Sequence, residues 1–387
     1  MDNSATPKPV YLDHHATTPV DPRVAELCAY YFLDCCGNAA SSHLYGKAAN
    51  ESLMKARTTL GNIVDAPPES VIITSGATEA NNIALRGTKL PEGMNGLCTT
   101  NIEHSSVLEV AKNEMKNGRL VRLIPCGKSG IIDPDMVRRA IADGKIGMVS
   151  VMYANNEIGT IQPIKEISKI CKEKGVLLHV DCCQTFAKLP ISMRDVDLIS
   201  ASAHKVYGPK GVGALIARPG LSIKPIMYGG TQEMSIRPGT VNVPGACGFA
   251  YASKLCSENW DQESLRLAYL RNLLLERLTN GLGPHIVHVN GSMNHRLPHN
   301  LNITLLDVCP QTLRPMIDPY MSVSGASACR NASSGSHVLE AIKAPDNDKG
   351  CPLRFGLGKD NTEEEIEFVA DVIIREARKV HGKGCTI

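Results

Sequence analysis

Between roughly residues 47 and 218 the chain alternates two patterns. Apolar residues three and four apart over 47–64, 77–86, 106–117 and 164–174 predict helices with one buried face. Between them, 71–75, 97–100, 120–124, 148–153, 176–180, 198–201 and 213–217 are short runs of Val, Ile, Leu and small residues, too short for helices and too apolar for strands with one wet face. This alternation predicts an α/β fold, a mostly parallel sheet flanked by helices. After about residue 240 the pattern changes to a long helical run over 262–282, shorter mixed strands such as 300–304, and a closing helix over 362–380. The start of that last helix, Asn361-Thr362-Glu363-Glu364-Glu365, sets carboxylates at a helix N-terminus, where the dipole favours them. At 387 residues the chain exceeds the size at which one core stops growing, so a second, smaller α/β domain is expected at the C-terminal end.

Composition narrows the function classes. Basic residues number 41 against 39 acidic ones, so no global field recruits nucleic acid or an anionic membrane, and partners are expected to be small or local. No apolar run reaches the length of about 18 residues that suggests a membrane span, and the start MDNSATPKP has no signal-peptide pattern; a cytoplasmic location is expected. Fourteen cysteines occur without a C-x-x-C pair. The adjacent pairs Cys35-Cys36 and Cys182-Cys183 cannot both reach one tetrahedral metal without strain, so mostly free thiols and no metal site are expected.

In open α/β sheets ligands bind beyond the carboxyl ends of the strands, and several of those ends are loaded here. The run 71–74 leads into Ser75-Gly76-Ala77-Thr78-Glu79 and a helix, which would aim backbone N–H groups at an anion, although the same residues suit an ordinary cap. Asp181, followed by Gln184, ends a buried run; a protonated ring nitrogen or a loop cap would account for the carboxylate. Lys205 follows Ser202-Ala203-His204. Either it is a solvated turn lysine, or it is an amine desolvated enough to lose its proton near neutral pH, as Schiff-base chemistry requires.

Co-occurrence in chain order separates these readings. The segments Tyr11-Leu12-Asp13-His14-His15-Ala16-Thr17-Thr18-Pro19, Gly37-Asn38 with Ser41-Ser42-His43, Ser75-Gly76-Ala77-Thr78-Glu79-Ala80-Asn81-Asn82, Glu103-His104, Asn155-Asn156-Glu157-Ile158-Gly159, Ser202-Ala203-His204-Lys205, Arg237-Pro238-Gly239-Thr240 and Ser327-Ala328-Cys329 span nearly the whole chain. Together they resemble the class I cysteine desulfurases, within the fold-type-I enzymes that use pyridoxal 5'-phosphate (PLP). The resemblance implies a large PLP-binding domain over 15–257 and a small domain made of 1–14 and 258–387 that carries the catalytic cysteine loop.

It implies that Lys205 carries PLP, that Asp181 holds the pyridine nitrogen, and that Gln184 and Asn155 lie on the ring-oxygen side, with Asn156 an adjacent alternative. Ala77, Thr78, Ser202 and His204 match positions that hold the phosphate, and Thr240 one that reaches the phosphate of the neighbouring subunit, hence a homodimer. His104 matches the histidine stacked on the ring, Asn38 and Arg354 the clamp on the substrate carboxylate, and Cys329 the sulfur acceptor. The implied reaction converts L-cysteine to L-alanine and leaves a persulfide that passes to an acceptor protein, such as an iron–sulfur scaffold or a thiolation relay. Selenocysteine lyase, class V aminotransferase and a sulfur-relay subunit of low activity are the alternatives on the same scaffold. Ala326 stands where a glycine is usual, and the stretch from Cys329 to His337 is about one residue short of the family pattern.

Overall fold

The computed structural model describes residues 8–325, 335–345 and 350–382, so Cys329 lies outside the described residues. The chain enters through a short strand β1 (Val10–Tyr11) and two helices, α1 (Pro22–Leu33) and α2 (Leu44–Asn62). The alternating region follows: β2 (Val71–Thr74), α3 (Ala77–Asn82), β3 (Gly96–Thr100), α4 (Ser105–Lys116), β4 (Val121–Ile124), α5 (Pro134–Ala140), β5 (Ile146–Met152), α6 (Ile164–Lys174), β6 (Leu177–Asp181), β7 (Leu198–Ser202) and β8 (Gly213–Ala217). Then come α7 (Val243–Leu282), β9 (Val287–Val289), β10 (Asn300–Leu306), α8 (Pro310–Ile317), β11 (Met321–Ser322), α9 (His337–Ala341), β12 (Gly350–Gly356) and α10 (Glu363–Val380). None of the described helices is long and apolar enough to cross a membrane.

Seven strands form one sheet in the order β2-β8-β7-β6-β5-β3-β4. Sequence neighbours part to opposite faces, as a pleated strand requires: Ile73, Leu178, Ile199 and Ile216 join one apolar cluster, while Ile72, Leu177, Leu198 and Leu215 join another. Both faces are therefore covered, which is why these strands read as continuous apolar runs. Only β8 runs against its neighbours; because it is antiparallel to both β7 and β2, β2 again points the same way as the rest. The carboxyl ends of β2, β3, β5, β6 and β7 consequently share one edge of the sheet.

A second sheet, β12-β10-β9, is antiparallel, and β1 pairs in parallel with β11 beside it. Leu301, Ile303 and Leu305 of β10 enter a core shared with α7 and α10. The opposite face of β10 is polar and also buried: the side-chain amides of Asn300 and Asn302 donate to the Glu157 carbonyl (3.1 and 3.0 Å), tying the small sheet to the loop after β5. Helix α7 spans both cores, with Ala246, Phe249 and Ala250 in the first and Leu267, Leu270, Leu274 and Leu278 in the second. It begins at Val243, well before the helix predicted from 262, and the expected domain boundary at 257 falls inside it.

Candidate active site

At the shared edge of the large sheet lies a cavity of 460 Å³, walled by the ends of β2, β6 and β7, by the N-terminal residues His15 to Thr17, and by Arg354 from the small sheet. Lys205, just past β7, is half-buried, and its Nζ donates to the carbonyls of His15 (2.5 Å) and Ala16 (2.6 Å). Burial, aided by the positive charges of Arg354 and Lys188, lowers its amine to about 8. Among the described residues it has no carboxylate in ion-pair contact, so its neutral fraction near physiological pH is on the order of a tenth, far above that of an ordinary lysine.

Asp181 ends β6 at the cavity wall, buried, with Oδ2 accepting from Asn81 Nδ2 (2.9 Å) and Oδ1 from the Cys183 backbone (2.9 Å). Both partners are neutral donors; no cation among the described residues neutralises it. Gln184 is locked to His15, its Oε1 to the ring Nδ1 (3.0 Å) and its Nε2 to the carbonyl (3.1 Å). His104 both caps α4 and faces the cavity: its Nδ1 accepts from the Ser106 backbone (3.1 Å) and bonds the Ser106 hydroxyl (2.8 Å). Because Nδ1 accepts, the neutral ring carries its proton on Nε2, and burial favours that neutral form by lowering its pKa.

Gly76, Ala77, Thr78, Ser202 and His204 make the neighbouring wall. Gly76 has φ 154° and caps α3 with no side-chain bond, which leaves the first N–H groups of that helix to the cavity. A side chain at Gly213 would strike the Gly76 Cα at 2.7 Å, so it is this glycine that lets β8 approach the turn. His204 Nδ1 meets Thr17 Oγ1 (3.2 Å), and burial with Lys205 and Lys210 holds its pKa down to about 4.

Arg354, on β12, is 1% exposed. It donates from Nη2 to Asp13 Oδ1 (2.8 Å) and from Nη1 to the Asn156 carbonyl (2.9 Å), while its buried Nε has no partner among the described residues.

The structure thus gathers Lys205, Asp181, Gln184, His104, Ala77, Thr78, Ser202, His204 and Arg354 around one cavity. Asn155 is placed differently: its amide is spent on the Ile102 carbonyl and on the Glu157 and Ile158 backbone, while Asn156 lines the cavity. Asn38 is exposed, with its Oδ1 accepting from Ala40 N, and Thr240 is exposed on the surface; neither lines this chain's cavity. His15, Asn81, Cys183 and Lys210 were given no role by the sequence. Asn81 carries the one legible hint, lying one helical turn beyond Ala77 and Thr78.

A match to the aminotransferase class-V family covers residues 10–369. A cysteine desulfurase IscS of Anaeromyxobacter sp. (strain Fw109-5) is 41% identical over 382 residues, covering 96% of this chain and 93% of the relative. The chain belongs to the cysteine desulfurases of the class-V aminotransferase family. Among solved structures, a NifS-like protein superposes with a TM-score of 0.88 at 33% identity, covering 96% of this desulfurase and all of the other chain. A second, titled SspA in complex with cysteine, gives a TM-score of 0.77 at 29% identity over 90% of this chain and 98% of its own. The enzyme uses PLP, as this family does. The cavity fits that cofactor: a half-buried amine of lowered pKa, a buried carboxylate paired with no cation among the described residues, and uncapped helix N–H groups share one wall.

Proposed function

We propose that this desulfurase converts L-cysteine to L-alanine and moves the sulfur to Cys329 as a persulfide. The observation that carries the reading is the joint wall of the cavity, where the amine of Lys205 and the guanidinium of Arg354, whose Nε has no partner among the described residues, face one space of 460 Å³. Lys205 binds the cofactor and takes the substrate Cα proton, for which an amine near 8 is suited. Asp181 holds the pyridine nitrogen protonated, and Asn81 and the Cys183 backbone hold Asp181. PLP, when bound, supplies a conjugated ring that takes up the electrons released at Cα. His104 carries a proton at the substrate thiol from Nε2, its neutral tautomer being fixed by Ser106. Arg354 receives the α-carboxylate, a planar group that suits a guanidinium; Asn38 joins it on resemblance alone.

In the transfer step the Cys329 thiolate attacks the substrate sulfur. A new S–S bond forms, the substrate C–S bond breaks with its electron pair staying on the three-carbon fragment, and that fragment takes a proton and leaves as alanine. Ala77, Thr78, Ser202 and His204 seat the phosphate, Gln184 and Asn155 or its neighbour Asn156 the ring oxygen, and Thr240 the phosphate of a partner subunit. A homodimer is supported by the exposed Phe32, Leu33, Leu44, Tyr45 and Tyr228, a quantity of apolar surface that an interface would cover. The division into 15–257 against 1–14 with 258–387, the cytoplasmic location, and delivery of the sulfur to an iron–sulfur scaffold or thiolation relay complete the reading.

Mass spectrometry of protein incubated with cysteine tests it. One added sulfur on Cys329, with alanine formed, is the expected result; turnover without sulfur on any cysteine would favour the aminotransferase reading.

A further inference from the structure

Lys188 is nine-tenths buried, in the turn that follows β6, and no carboxylate among the described residues lies within ion-pair distance. Burying an ammonium without an anion is costly, and an unbranched apolar side chain such as Met would fill the same space. What surrounds it gives the reason. Its Nζ donates to the backbone carbonyl of Lys205 (2.9 Å) and sits over the ring of Trp260, 5.7 Å from the centroid. Trp260 meets His299 edge-on (5.6 Å), His299 stacks on His15 (4.7 Å), and the His15 carbonyl accepts from Lys205 Nζ. Lys205 is therefore held at both ends, at its amine and at its own carbonyl, by one closed ring of contacts anchored on α7.

We propose that Lys188 is a positioning residue for Lys205, fixing the backbone of its turn and placing a second positive charge behind its amine. The inference rests on Lys205 being the residue that carries PLP. Lowering of the Lys205 amine by Lys188 is consistent with it. The other titratable groups facing the pair are Arg354 and Asp13 from the small-sheet side, Asp181 and Cys183 at the end of β6, Glu79, Lys210, His15, His104 and His204 around the cavity, and Cys256, His14 and His299 beside Lys188. All remain in a Lys188 variant, so a difference from wild type reports what Lys188 itself contributes, its charge and its bond to the Lys205 carbonyl together.

PLP uptake by the apoprotein, followed by the near-visible absorbance of bound cofactor across a pH series, tests this, because only the neutral amine of Lys205 reacts. In wild type the rate is expected to rise through about pH 8. Lys188→Met is expected to move that midpoint up, by less than the ~2 pH units that a unit charge about 6 Å away would give in a medium of effective dielectric ~20, since burial and Arg354 lower the amine more than Lys188 does. Lys188→Arg should restore it. A purely structural role would lower the melting temperature of Lys188→Met and leave the midpoint in place, which overturns the proposal. Should Lys188→Met not fold, Lys188→Gln gives the same comparison, and failure of both to fold overturns it too. Lys205→Ala keeping the absorbance band would instead sink the reading of Lys205, independently of Lys188.

Discussion

Replacing Glu103 by Gln separates a pH effect from a packing effect. The carboxyl is fully buried between β3 and β5, with Oε1 accepting from Thr100 Oγ1 (2.6 Å) and Met152 N (3.1 Å) and Oε2 without a partner among the described residues. Burial, with a smaller push from Asp181, raises its pKa from 4.5 to about 8. The folded protein therefore keeps a proton that the unfolded chain releases above about 4.5. The stability this contributes is fully present below that pH and is lost as pH rises through 8. At 1.36 kcal/mol per unit, the loss between pH 5 and pH 7 is about 2.5 kcal/mol. An unfolding entropy of about 2.1 cal/mol/K per residue converts this to about 3 °C for a chain of this length. Glu103→Gln stays neutral throughout and keeps a carbonyl for Thr100 and Met152. Scanning calorimetry of the PLP-saturated proteins at pH 5 and pH 7, at one scan rate, should show the gap between variant and wild type shifting by about 3 °C in favour of the variant at pH 7. Two curves offset by a constant would refute the reasoning.

Lys205→Ala should abolish the near-visible absorbance of the purified enzyme while leaving it folded by circular dichroism. Cys329→Ser should cut alanine release from cysteine by several orders of magnitude, since a hydroxyl is a poor nucleophile toward sulfur, whereas Cys183→Ser, at the cavity wall, should keep most of it. Thr240→Ala should speed PLP loss on dialysis and leave sedimentation as a dimer unchanged; a PLP-saturated active monomer at dilution would end the two-fold reading. Thr362→Ala, which removes one half of the capping box with Glu365 at the start of α10, should cost about 1 kcal/mol in urea unfolding.

The sheet was legible because both its faces are buried, which forces unbroken apolar runs that no helix of that length would need. Direction was not: β8 runs antiparallel, and its Gly213 to Ala217 carry no mark of it, because side-chain alternation is the same either way. The first half of α7 escaped because its buried residues, Val243 and Phe249 apart, are Gly, Ala, Cys and Ser, suited to close approach rather than apolarity; a side chain at Gly248 would meet Cys28 Sγ at 2.4 Å. Helix α1 escaped because Tyr30, Phe32 and Leu33 are exposed and blur its apolar stripe. At the site, residues at strand ends could be picked out by polarity after an apolar run, as Asp181 and Lys205 were. His15 and Lys188 could not, and Asn81 only by its place one helical turn beyond Ala77 and Thr78. Their roles exist only through contacts with chain segments distant in sequence, such as the Asn81 bond to Asp181 across 100 positions.

Helix α7 also sets where this protein tolerates being cut. Because one unbroken helix feeds both cores, a fragment ending near residue 257 would display Ala246, Phe249 and Ala250 correctly but lose the rod that carries Leu267, Leu270, Leu274 and Leu278. A C-terminal fragment starting there would begin with half a helix and no neighbour to hold its first turns. Chimeras that exchange the small sheet between relatives should therefore place their junctions outside Val243–Leu282, and carry β1 along with the C-terminal part, since Val10 and Tyr11 pair with Met321 and Ser322. A split made inside the helix would trade two folded halves for two sticky ones.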